Sequence, residues 1–213
     1  MLLRLGLVLG IAFAAFPSAA SAVTDSLTYY YAMHDTEAIK RLYRQARTTE
    51  ERLLCTYRLF PLTQDDRWLE NLPEESELRT ARELALLAAH WAFKAANAPA
   101  WRLPIYGRRS EGILRRAQAI NFDEPYALLI DGQSLYYKPA IFGGDAEEAK
   151  TRFERLRTVL HGRTVPGIHA FEPEVWIWMC LRKMDNPVAG RLRDQLLARR
   201  PPPLFRQFLI DPP

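Results

Sequence analysis

The sequence predicts an all-α fold of antiparallel helical hairpins stacked side by side, and three observations carry that prediction. Apolar residues recur at three- and four-residue intervals through most of the chain. The sustained alternation of β-branched and polar residues that marks strands is nearly absent. Between Asn121 and Leu160 a helix, a tight loop carrying Gly143, Gly144 and Asp145, and a second helix follow one another. Such a hairpin cannot bury both apolar faces alone, so it requires neighbours of its own kind on either side.

Taken in order, residues 1–22 read as a secretory signal peptide. Arg4 precedes an apolar run from Leu5 to Phe16, Pro17 breaks it, and Ala20, Ser21 and Ala22 offer a cleavage site. The run is shorter than the ~20 apolar residues that span a bilayer. The expectation is a mature single domain over residues 23–213, periplasmic or secreted, with no stable membrane insertion.

Helical spacing then runs from Leu27 through Ala46, with Asp35 placed as a cap. A helix is predicted from Thr49 to Phe60, ended by Pro61. The Ala- and Leu-rich stretch from Ser76 to Ala96 predicts the longest helix. Further helices are predicted over 105–120, 123–137, 145–160, 173–184 and 187–199. Pro173 and Pro187 read as starts, because proline in a first turn loses no intrahelical hydrogen bond. Residues 161–173 read as a polar connection, and the apolar tail LFRQFLIDPP is expected to pack over the last hairpin.

The spacing of Leu114, Ala117, Ile120 and Asp123, followed by Gly132 and Tyr136 and then by Ala149, Phe153 and Leu156, resembles the tetratricopeptide repeat (TPR). Small residues at Gly132 and Ala149 let two helices approach, and the aromatics fill the space beside them. The Gly-Gly-Asp loop is similar to a hairpin turn of a bacterial, partly exported subset of these proteins. Between Gly132 and Ala149 the chain carries about five residues more than an ordinary repeat, in KPAIFGG. The resemblance implies a short TPR-like right-handed superhelix and a concave groove lined by the first helices of the hairpins. The candidate groove residues are Tyr126, Gln133, Tyr137, Trp176 and Arg182, in which aromatic burial supplies affinity and arginine supplies orientation.

Gly143 and Gly144 suit a tight turn, and Asp145 with Glu148 has the spacing of a capping box. Ile141 and Phe142 are expected to plug the hairpin. Tyr29, Tyr30 and Tyr31 stand together, and neighbours on a helix point about 100° apart, so at least one should leave the core.

The net charge is +4, with basic and acidic residues interspersed. Only Arg191, Arg193, Arg199 and Arg200 cluster, which reads as a solvated face rather than a nucleic-acid contact. Cys55 and Cys180 both sit among apolar residues; two separate buried thiols are the favoured reading, and a disulfide between them the other. His34, His90, His161 and His169 are too scattered for a metal pattern, and no nucleophile has a base nearby in sequence. A non-catalytic protein without cofactor or metal is expected, binding a protein or peptide partner and no nucleic acid. The alternative is a periplasmic accessory that handles a small molecule for an uptake system.

Overall fold

The structure, a computed structural model, describes residues 20–212. The signal peptide expected over residues 1–22 lies outside the described residues, apart from the backbone of its last three. Ten α-helices and no strand occur among the described residues.

The first two helices, α1 (Ala20–Ala32) and α2 (Thr36–Gln45), meet at Asp35, whose carboxylate accepts the Ala38 N–H at 2.9 Å, as the cap predicted. The tyrosine triplet divides as geometry requires: Tyr31 is buried, Tyr30 half-buried and Tyr29 exposed. In α3 (Thr49–Thr63) Thr48 and Glu51 form a reciprocal capping box. Pro61 lies inside this helix instead of ending it. At the last turn its missing N–H removes only one bond, and Gln64 closes the helix in the left-handed region with its N–H on Phe60 O at 2.8 Å.

Short 3₁₀ turns over Asp66–Leu69 and Glu75–Glu77 lead to α4 (Ala81–Ala96). The helix expected from Ser76 therefore starts five residues later. Thr80 and Glu83 make a second reciprocal capping box, which fixes the start more firmly than the propensity of the preceding residues. The chain continues as α5 (Leu103–Ile120), α6 (Pro125–Tyr137), a 3₁₀ turn over Ala140–Phe142, and α7 (Ala146–Leu160). It ends with α8 (Glu172–Lys183), α9 (Val188–Ala198) and α10 (Pro203–Ile210).

Successive helices pack as hairpins, α4 against α5 and α6 against α7 most extensively, and α7 also packs against α8. A Cβ added to Gly132 would stand 2.6 Å from the Phe153 ring, so only glycine permits α6 and α7 to approach as they do. Phe153 stacks on Trp176 at 5.3 Å, joining the hairpin to α8. The tail forms α10, which buries Leu204, Phe205 and Leu209 and touches α1 as well as α8 and α9. One connected apolar core runs from Leu27 to Leu209.

The connection after α7 is anchored rather than merely polar. Val165, Ile168 and Phe171 are buried, and Gly167 adopts φ +76°. Its N–H donates to Thr28 Oγ1 at 2.7 Å, and the Pro166 carbonyl accepts the Tyr126 hydroxyl at 2.7 Å. A Cβ on Gly167 would meet that hydroxyl at 2.4 Å. Arg58 completes the junction: it donates two bonds to Glu172 at 2.8 Å each, and Nε and Nη2 reach the Gly167 carbonyl at 3.0 and 2.6 Å. Arg58 and Glu172 are each only 2% exposed, and the guanidinium lies 4.1 Å from the Tyr31 ring centroid.

Candidate functional site

The C-terminal ends of α6 and α8 meet around an open cleft of ≈ 530 Å³ lined by Tyr136, Tyr137, Arg182, Lys183 and Asp185. Helix ends present carbonyls without intrahelical donors and a partial negative charge, and cations gather there for that reason. The Lys183 ammonium donates to the Tyr136 carbonyl and lies 4.6 Å from the centroid of the Tyr136 ring. Tyr136 and Tyr137 pack edge to face at 5.0 Å, and each meets Trp176 edge-on at 5.8 and 5.9 Å. Tyr137 is 56% exposed and Arg182 is exposed, so an aromatic face and a free guanidinium stand side by side.

Past the end of α6, the lengthened turn projects Ile141 and Phe142 into solvent at 85% and 62% exposure. The expected plug does not form. Gly143 takes φ +84°, and a Cβ on Gly144 would stand 1.9 Å from the Lys138 carbonyl, so the turn folds tightly on its own backbone and leaves no cavity for the two side chains. Asp145 caps α7 by accepting from the N–H groups of Glu147 and Glu148 at 2.9 and 3.0 Å. The capping box is one-sided, because the Glu148 carboxylate bonds Arg152 at 2.7 Å instead of reaching back.

Of the five residues proposed from sequence, Tyr137 and Arg182 line the cleft together, and Trp176 does not line it but is buried against Tyr136 and Tyr137. Tyr126 does not join them: it is fully buried with its hydroxyl on Pro166. Gln133 is half-buried and accepts the Tyr57 hydroxyl at 2.8 Å. Both are engaged within the fold by Tyr57 of α3, which bonds Gln133 and packs its ring edge-on against Tyr126 at 5.9 Å. Lys183 and Asp185 were missed as lining residues; the basic pair at the end of α8 was the available signal.

The groups that could supply acid–base or thiol chemistry in the interior are buried. Burial pushes the His90 imidazole down to about 4, so it is neutral; Nδ1–H donates to the Leu86 carbonyl and Nε2 accepts from Thr56 Oγ1, both at 2.7 Å. Cys55 and Cys180 are free, buried thiols, pushed up to about 12 chiefly by burial, and neither supplies a thiolate near neutrality. Burial is the largest single influence on Arg58 and acts to lower it, but Glu172 together with Tyr31, Tyr57 and Tyr126 outweighs it and holds the guanidinium ionised. Among the described residues no three His, Cys, Asp or Glu side chains converge as a metal site would require, and no helix is long and apolar enough to cross a membrane.

Comparisons with protein-family models, with curated proteins and with solved structures give no match.

Proposed function

We propose that this is a non-catalytic, exported, TPR-like helical-repeat protein that holds a segment of a protein or peptide partner at the α6–α8 cleft. The observation that carries the reading is the pairing of exposed Tyr137 with exposed Arg182 at one opening. Aromatic area and an unpaired guanidinium suit a segment that offers apolar side chains and a carboxylate. The close Gly132–Phe153 contact supports the repeat-like reading of the hairpin.

The second reading, handling of a small molecule, calls for an enclosed apolar pocket. The cleft is open, and the lengthened turn directs its apolar side chains outward, which favours the peptide.

Native mass spectrometry of the protein recovered from its own compartment tests both. Added polypeptide mass that is lost in Tyr137→Ala/Arg182→Glu, with helical circular dichroism unchanged, is the expected result. Added mass of a few hundred daltons would move the assignment to the small-molecule reading, and polypeptide mass retained by the double variant would remove the cleft from the mechanism.

A further inference from the structure

The chain's unpaired cations are densest elsewhere, along α5. Residues 94–120 carry Lys94, Arg102, Arg108, Arg109, Arg115 and Arg116 against the single carboxylate of Glu111. Glu111 is taken by Lys138 at 2.6 Å, and Arg116 pairs with Glu75. No carboxylate lies within ion-pair distance of Lys94, Arg102, Arg108, Arg109 or Arg115 among the described residues.

Ile105, Arg108, Arg109, Gly112, Arg115 and Arg116 follow the three- and four-residue spacing of one helix face. That face is uncovered: α5 packs chiefly against α4, and a Cβ added at Gly112, midway along it, meets nothing within 4 Å. From Ile105 to Arg116 the stripe is roughly 16 Å long. At its N-terminal end Ile105 projects into solvent from the same face at 59% exposure, and Trp101, just before the helix, is 66% exposed. The cations also crowd one another: Arg109 and Lys94 lie 4.0 and 4.8 Å from the Trp91 ring centroid, and burial and then the Arg109 charge lower the Lys94 ammonium.

We propose that the outer face of α5 docks on an anionic membrane surface, with the arginine stripe against lipid headgroups and Trp101 and Ile105 entering the interfacial layer. Charge complementarity selects an anionic occupant, and the apolar end selects among such occupants. A phosphate backbone has no use for an exposed isoleucine, whereas the headgroup boundary accepts tryptophan and aliphatic side chains beside arginine. The stripe attracts such a surface in proportion to its unpaired charge, and salt screens the attraction.

Co-sedimentation of the purified protein with vesicles tests the proposal. Binding is expected to phosphatidylcholine vesicles containing 30% phosphatidylglycerol, about the composition of a moderately anionic surface, and not to phosphatidylcholine alone. Arg108→Gln/Arg115→Gln should weaken partition roughly fivefold per charge removed. Trp101→Ser should weaken it further, and half-molar salt should release the protein. The charge-matched Arg191→Gln/Arg206→Gln, on α9 and α10, should bind as the parent does. Equal loss in both arginine pairs, binding independent of lipid charge, or no binding would overturn the proposal. Tighter binding to a short nucleic-acid duplex than to the anionic vesicles, indifferent to Trp101→Ser, would replace the membrane with nucleic acid.

Discussion

Arg58 and Arg109 sit over aromatic rings at nearly the same distance, 4.1 Å from Tyr31 and 4.0 Å from Trp91, yet their surroundings differ in kind. Arg58 has a carboxylate gripping both ends of its fork and a carbonyl on the remaining side, all out of water. Arg109 has the ring, a neighbouring ammonium and no carboxylate. The Arg58 junction has completed its polar chemistry within the chain, whereas the α5 edge and the α6–α8 rim have not. Function therefore belongs where the chemistry is incomplete, and stability where it is closed.

The largest effect should come from breaking the closed side. Arg58→Met leaves the Glu172 carboxylate buried without a counter-charge, and about 3–5 kcal/mol of stability should be lost in denaturant unfolding. Arg58→Met/Glu172→Leu should recover much of it, since an apolar pair carries no stranded charge. A double variant as unstable as the single one would mean that the lost bonds to Gly167, rather than the stranded charge, dominate.

His90 gives the next effect. An unfolded histidine takes up its proton below about 6.5, but His90 in the fold does so only near 4, because burial disfavours the cation. The unfolded state thus binds the extra proton across that window, and the full contribution of His90 holds above it. Lowering the pH from 7 to 4.5 should cost about 2–3 kcal/mol through this group alone. His90→Gln should lose that share of the pH dependence, which paired denaturation curves at the two pH values would measure; identical slopes for both proteins would refute it.

The smallest effect should be on the open side. Ile141→Ser/Phe142→Ser should shift stability by no more than about 0.5 kcal/mol, as exposed substitutions do. A loss of several times that would make the turn part of the core after all.

The comparison also explains what could be read from sequence. Helix periodicity, the Asp35 cap and the Gly132–Phe153 approach depend on neighbours a few residues or one hairpin away, and they were legible. The start of α4 was misjudged because the Thr80–Glu83 capping box was passed over in favour of propensity. Tyr126 looked like a groove residue because it sits on the first helix of a hairpin. Its burial depends on a loop forty residues later, which no local pattern announces. The α5 stripe stands in the sequence as Arg108, Arg109, Arg115 and Arg116, yet the cluster singled out there was Arg191, Arg193, Arg199 and Arg200, because the interspersed charge of the chain gives no sign of which cations find a partner. The cleft needed the ends of two helices nearly fifty residues apart to meet.

The junction at Gly167 has one more consequence. Helices α1, α3 and α6 all reach that single loop, through Thr28, Arg58 and Tyr126, and the Thr28 contact spans 139 positions of chain. An open solenoid can gain or lose a module at its end and remain intact. Here the early helices lean on a keystone made more than a hundred positions later, so a version cut before Gly167 would lose the support of its beginning together with its end.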